Sequence, residues 1–359
     1  MSFHLIRRQQ FLSEKYYKLA NEIHNQIIDD DDGLEESLAS SKTEPKEKIF
    51  FSHGIANDKF NLLMLDYTAG ESEVILREKI GGIIANYERY ANLLWKYYDD
   101  DNRPAFDLAI IDDYTTLMQI IGLCFLLYRY DLLPRIAALQ DGVNKENAGM
   151  DTLFEEFMCY GMGPEERYQS DYLCCTKPYR ALFHALTELS DEARLKELNT
   201  YLKHWYKDLV GCAWHDSHKA EGGYFGYWSF EAGAAVVLLG IKDDSSLHKY
   251  LYYPKDLVAW YRANKTKYLT DTKALRDPAT NAGIAAGQSC PTQLPPLRST
   301  RCHLSGNRGQ RLRHNLLAME PGSIRADAVV AQSMKQLLKD DARFANEQPS
   351  PLQLEKALQ

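Results

Sequence analysis

The stretch YFGYWSFEAGAAVVLLGIKDDSSL, residues 224–247, decides the fold class of this chain. Its apolar residues recur at steps of three and four, which is the spacing that lines one face of an α-helix. The residues on that face are Trp228, Ala232, Ala235, Val236 and Leu239. The pattern therefore predicts a short helix that is buried among other helices.

The ends of this helix carry their own signals. Ser229 stands at the N-cap position, and Glu231 falls in the first turn, where a negative charge meets the positive end of the helix dipole. Gly240 is placed to end the helix in a left-handed conformation. Gly233 and the neighbouring alanines leave room for a second helix to approach closely.

Helical patterns extend outward in both directions. They predict a helix over residues 12–27, a long helix over 73–98, a buried core helix over 114–128 (YTTLMQIIGLCFLLY) and a short one over 132–139. The stripe Leu182, Phe183, Leu186 and Leu189 precedes a Ser190 cap, and further helices follow to about residue 268. Residues 33–48 lack periodicity and are predicted as a loop. With no alternating strand pattern, the fold class is all-α.

Composition divides the chain into two packed helical domains and a mostly flexible C-terminal extension. The predicted N-terminal domain is 1–140 and the C-terminal domain is 150–268, separated by the turn-rich residues 141–149. Residues 269–359 are rich in Pro, Gly and basic side chains, and all 23 tyrosines and five tryptophans precede them. One amphipathic helix is predicted within the extension, over 324–345.

Several features predict a cytoplasmic protein. The start, MSFHLIRRQQFLSEKYY, has no apolar run behind its basic pair, unlike a secretory signal. The uncharged run at 114–128 is shorter than the roughly 18 residues that a membrane span needs. Seven cysteines, an odd number with no CxxC pair, suit reduced thiols and give no zinc site.

Charge is distributed unevenly along the chain. Residues 271–359 hold 12 Lys+Arg against 8 Asp+Glu, so residues 1–270 have a net charge of −12. An acidic body argues against direct nucleic-acid binding, because phosphates need cationic partners. It suits a basic protein partner.

A metal-dependent hydrolase is the enzymatic alternative. His215, His218 and Glu231, with Asp216, are ligand types for a divalent metal. The two histidines are three residues apart rather than four, and the glutamate lies 13 residues further on, so the spacing differs from the HExxH pattern. No GxSxG or phosphate-binding glycine loop occurs, and we predict no catalytic residue, no metal and no cofactor.

Clusters of carboxylates are the more informative feature. Two runs, Asp29 to Asp32 and Asp99 to Asp101, follow the C-terminal ends of predicted helices, where negative charge opposes the helix dipole and does not stabilise the fold. Together with other acidic residues, they are candidates for a surface that steers a basic partner, with tyrosines as anchors of the binding energy. The candidates are Asp29, Asp30, Asp31, Asp32, Tyr97, Tyr98, Asp99, Asp100, Asp101, Asp112, Asp113, Tyr114, Glu155, Glu156, Asp243 and Asp244.

The stretch 224–247, with WHDSH at 214–218 before it and YYPKDLV at 252–258 after it, resembles the signature of PoNi-type immunity proteins. The likeness covers about residues 3–268. It implies two α-helical domains and a non-enzymatic, cytoplasmic inhibitor of a PoNe-type nuclease toxin, of the kind that type VI secretion systems deliver. The signature residues, whose implied role is architectural, are Trp214, His215, Trp228, Ser229, Phe230 and Glu231.

These observations predict an immunity protein that covers the active site of a cognate DNase-type toxin with an acidic helical surface. A helical scaffold that binds another protein without a toxin partner stays open beside the hydrolase. A homodimer also stays open.

Overall fold

A computed structural model of the chain describes residues 2–28, 40, 43–219 and 223–269. These residues form eleven α-helices and no strand, which confirms the all-α prediction. The helices are α1 Phe3–Ile6, α2 Glu14–Ile28, α3 Pro45–Ala69, α4 Glu73–Tyr98, α5 Ile111–Leu126, α6 Leu133–Asp141, α7 Thr152–Met162, α8 Tyr179–Thr187, α9 Asp191–Asp208, α10 Phe230–Leu238 and α11 Lys255–Leu269.

Helices α3 and α4 pack side by side as a long hairpin. Gly70 ends α3 with φ 101°, a left-handed conformation that glycine adopts at little cost. Ser72 then caps α4 by accepting the Val74 N–H. The bounds of α4 agree with the predicted helix over 73–98.

Helix α3 was not predicted, and its first residues, 45–48, correct the end of the loop predicted over 33–48, whereas residues 33–39, 41 and 42 lie outside the described residues. The helix begins at Pro45, and Glu44 and Glu47 form a capping box with each other's backbone N–H groups. Because α3 packs against both α2 and α4, its apolar residues do not form one stripe. A single-face pattern therefore could not reveal it.

Helix α5 lies at the centre of the molecule and packs against α10. Every residue from Leu117 to Leu126 is buried. The contact is closest at Gly122, where a Cβ atom would lie 2.5 Å from the Glu231 nitrogen. A side chain at this position would collide with the backbone of α10, so the glycine sets the distance between the two helices.

The ends of α10 follow the predicted pattern in part. Gly240 has φ 68°, and the N–H groups of Gly240 and Ile241 bond to the carbonyls of Val237 and Val236 in a Schellman motif. Ser229 is the N-cap, but its hydroxyl bonds to Glu231 instead of the helix backbone. Glu231 is fully buried, so its charge faces the core and not only the helix dipole.

Helices α8 and α9 form a second hairpin. Ser190 caps α9 by accepting the Ala193 N–H, as predicted. The stripe on α8 includes three of the four predicted residues, because α8 ends at Thr187 and Leu189 is 80% exposed.

The two predicted domains share one buried core, since α5 packs on α10 and α6 packs on α7. The boundaries between the domains therefore stay a prediction. The helix predicted over 324–345 lies outside the described residues, as does the extension from 270 onward. Among the helices that the structure describes, none is long and apolar enough to cross a membrane.

Candidate functional site

The signature stretch surrounds one buried carboxyl group. Glu231 Oε1 accepts hydrogen bonds from the Tyr201 hydroxyl (2.6 Å), the Ser229 hydroxyl (2.9 Å) and the Trp205 indole N–H (3.0 Å). Its second oxygen, Oε2, has no hydrogen-bond partner within the described part of the chain. Burial raises the pKa of Glu231, and the hydrogen bonds lower it only in part. The arrangement joins α9 to α10 and stabilises the core.

Aromatic rings extend from this carboxyl group towards the surface. Trp214 stacks on Trp205 with ring centroids 5.1 Å apart, and His215 stacks on Tyr206 at 4.1 Å. Phe230 is fully buried, and Trp228, also buried, donates its indole N–H to the Thr68 hydroxyl. All six signature residues thus take part in packing or hydrogen bonds inside the protein.

The structure does not bring the metal candidates together. His218 bonds to the Tyr227 hydroxyl through Nδ1, while His215 bonds to the Tyr206 carbonyl. Glu231 accepts hydrogen bonds from Tyr201, Trp205 and Ser229 and contacts neither histidine through a hydrogen bond. Across residues 2–28, 40, 43–219 and 223–269, no group of three His, Cys, Asp or Glu side chains could hold a metal ion.

Gln9, which the sequence analysis did not single out, ties the N-terminal segment to the signature stretch. Its amide nitrogen donates to the Tyr227 and Leu251 carbonyls, and its oxygen accepts from the Tyr224 hydroxyl and the Tyr227 N–H. The side chain is 1% exposed. Because these partners lie more than 200 residues away in sequence, no local pattern could have indicated the contact.

The acidic loop, defined here as residues 99–113, connects α4 to α5 and begins α5. It contains six aspartates and one arginine, Arg103. That arginine is 6% exposed, and its guanidinium lies 3.8 Å from the ring centroid of Tyr98. Since its only cation is turned inward, the loop presents mainly negative charge to the solvent.

The run Asp99, Asp100 and Asp101 forms the outer part of the acidic loop. Asp99 ends α4 in a left-handed conformation with φ 51°. Asp99 and Asp101 are exposed, and Asp100 is half-buried and accepts the Asn102 N–H. Tyr97, beside this run, is 44% exposed. The structure thus brings together an acidic run and an exposed aromatic ring.

Asp112 and Asp113 lie where the acidic loop enters α5 and are half-buried. Asp112 accepts the Ala213 N–H and Asp113 accepts the Asp107 N–H, each at 2.9 Å. Burial raises the pKa of both groups, and that of Asp113 rises to about 7. At neutral pH, Asp113 therefore carries only part of a negative charge.

Other candidates are occupied inside the protein. Tyr114 is buried and donates to Asp151, and Glu155 is buried against Arg167, which also bonds to Asp141. Asp244 is buried between Tyr253 and Arg262. Glu156 is half-buried, and its pKa rises to about 7 because of burial. Asp243 is exposed, whereas Asp29, Asp30, Asp31 and Asp32 lie outside the described residues.

A groove of about 430 Å³ runs between α4 and α6. Two contacts join it to the acidic loop: the Trp95 indole N–H donates to the Arg103 carbonyl, and the Ala105 N–H donates to the Leu139 carbonyl. No local pattern in the sequence predicts this groove. Its lining residues are Glu88, Asn92, Trp95, Pro134, Arg135, Ala138 and Leu139.

The helical architecture has a counterpart among solved structures. The crystal structure of protein PA2201 from Pseudomonas aeruginosa matches with a TM-score of 0.57 and 20% sequence identity, over 72% of this chain and 92% of that chain. At this identity the likeness shows the fold alone. No curated protein matches the chain in sequence.

The described residues define an all-helical protein in which the signature stretch packs and makes hydrogen bonds inside the core. Residues 149–257 match the family described as PoNe immunity proteins (PoNi), C-terminal. The matched region is less than a third of the chain, and it is similar to the C-terminal region of PoNi-type immunity proteins. Members of this family are inhibitors and not enzymes, so the match supports a protein partner.

Proposed function

We propose that this chain neutralises a cognate PoNe-type nuclease toxin in the cytoplasm of the bacterium that makes it. The chain would bind the toxin directly and cover its DNA-binding active site, without touching nucleic acid itself. The toxin would be a DNase delivered by a type VI or similar secretion system. The family match supports the immunity role, and the finer points are our proposal.

The observation that carries the mechanism is the acidic loop. A nuclease holds the phosphate backbone through Lys and Arg side chains, so its active site attracts a surface that presents carboxylates. Asp99 and Asp101 are exposed, while the only arginine of the loop is buried against Tyr98. Such an arrangement raises the association rate and selects a cationic partner.

The test replaces the charges of the loop without changing its shape. We expect the triple variant Asp99→Asn, Asp100→Asn and Asp101→Asn to bind the nuclease at least ~5-fold more weakly at low salt, because exposed charges act mainly through steering. Its affinity should also depend less on salt concentration. The control changes three acidic residues around the start of α9: Glu188→Gln, Asp191→Asn and Glu192→Gln.

The outcomes separate the two parts of the proposal. A wild-type chain that neither binds nor inhibits the nuclease would exclude the immunity function. A triple variant with the affinity and salt dependence of the wild type would exclude the acidic loop and leave the immunity function standing.

A further inference from the structure

We propose that the α4–α6 groove receives a large apolar side chain from a basic segment of the toxin. This inference rests on the proposed function and names the part of the surface that supplies most of the binding energy. The groove measures about 430 Å³. Such a volume is near the lower end of the range of ligand pockets, roughly 300–1,000 Å³, and suits one or two side chains.

The lining of the groove is mostly apolar. Trp95 of α4 forms one wall, and Pro134, Ala138 and Leu139 of α6 form the other. Pro134 and Ala138 are exposed, and Trp95 is half-buried. One inserted side chain would remove this aromatic ring and the small apolar residues beside it from solvent, and such desolvated contacts dominate the binding energy of interfaces.

The walls are held in place before any partner arrives. Arg135 makes two hydrogen bonds to Glu88 (2.7 and 2.6 Å), which joins α6 to α4 across the groove. Trp95 is oriented by its 2.6 Å hydrogen bond to the Arg103 carbonyl. A preformed groove loses little conformational entropy when it is filled, so less of the free energy gained by burying apolar surface is offset by ordering of the groove.

Charge decides which partner fits. The only cation in the lining, Arg135, is paired with Glu88, and the acidic loop adjoins the groove through the contacts of Trp95 and Leu139. Val143, whose N–H bonds to the Asp101 carbonyl, is 61% exposed beside the acidic loop. The complementary segment has an apolar side chain at its centre and Lys or Arg on either side.

The experiment fills the groove and measures binding of the full chain to the cognate nuclease. Ala138→Phe places a ring in the groove from an exposed helical position, and we expect at least tenfold weaker binding. Ala259→Phe, at an exposed position of α11, is the matched control and should bind like the wild type. Unfolding in urea checks that both variants are folded. Equal affinity of Ala138→Phe and the wild type would overturn the groove and not the immunity function.

A second measurement decides the case in which the nuclease does not bind at all. The indole N–H signal of Trp95, assigned in a ¹⁵N spectrum with Trp95→Phe, reports on the groove directly. The probes are a Lys-Lys-Phe-Lys-Lys peptide and its counterpart with Ala in place of Phe. A shift with the first peptide alone, lost in Ala138→Phe, supports the groove. No shift, or equal shifts with both peptides, overturns it.

A second copy of the chain is the other candidate occupant, and it has its own signature. In that case the wild type would dimerise and Ala138→Phe would be monomeric by light scattering, with nuclease affinity unchanged. That result would also overturn the proposal.

Discussion

The Tyr201 hydroxyl donates a 2.6 Å hydrogen bond to Glu231 Oε1, and both side chains are fully buried. Three donors meet on this one oxygen, whereas Oε2 has no partner among the described residues. The three donors to Oε1 offset part of the cost of burying this carboxyl group. The signature stretch therefore depends on a polar network and not only on apolar packing.

Removing the carboxyl group should cost far more than neutralising it. We expect Glu231→Ala to lower the free energy of unfolding by about 3–5 kcal/mol, because three buried donors lose their acceptor and a cavity remains. Glu231→Gln keeps an acceptor oxygen and should cost about 1–2 kcal/mol. Urea unfolding followed by circular dichroism measures both values. Equal losses for the two variants would contradict a role for the hydrogen bonds.

Gly122 sets the distance between α5 and α10, so adding a single methyl group at this position should strongly destabilise the protein. We expect Gly122→Ala to destabilise the protein by about 3 kcal/mol or more, because its Cβ would meet backbone atoms of Phe230 and Glu231. Gly82→Ala in α4 is the matched control. It has nothing within 4 Å of the added Cβ and should stabilise the helix by about 0.5–1 kcal/mol. Thermal or urea unfolding of the pair is the measurement.

Gln9 should hold the N-terminal segment on the signature stretch. We expect Gln9→Leu to destabilise the protein by about 2–4 kcal/mol, since it leaves buried groups of Tyr224 and Tyr227 without partners. Hydrogen exchange should also become faster over residues 2–12. Gln10→Leu changes the adjacent, exposed glutamine and should leave both quantities near wild type. Unchanged exchange in Gln9→Leu would show that the segment is held by other contacts.

Glu156 should make stability depend on pH. Burial raises its pKa from 4.5 to about 7 in the folded protein, so folding favours the protonated form. Its contribution to stability is therefore greatest below about pH 4.5 and is lost as the pH rises towards 7.

Glu156→Gln tests this sign. The variant should be about 1–2 kcal/mol more stable than the wild type at pH 8, after allowance for solvent screening of a half-buried group, and little different at pH 4.5. Urea unfolding at the two pH values measures the difference. A variant that loses stability at pH 8 would show that the ionised carboxylate makes a favourable contact.

Local patterns in the sequence determined several of the helices. The bounds of α4, the buried core helix α5, the Ser190 cap and the glycine that ends α10 follow from side-chain spacing and capping chemistry, which act over a few residues. The sequence also indicated the likeness to PoNi-type immunity proteins, because the signature stretch is a continuous segment within the matched residues 149–257. Helix α3 was not predicted, because it packs against both α2 and α4 and its apolar residues therefore do not lie on a single face.

Only the tertiary structure decided which polar residues are buried and which face the solvent. Neighbouring acids such as Asp243 and Asp244 look alike in sequence, yet one is exposed and the other lies between Tyr253 and Arg262. The burial of Glu231 was likewise decided by the tertiary structure, and so was the groove that α4 and α6 form together. The physical reason is that burial depends on contacts between segments far apart in the chain, which no local spacing encodes.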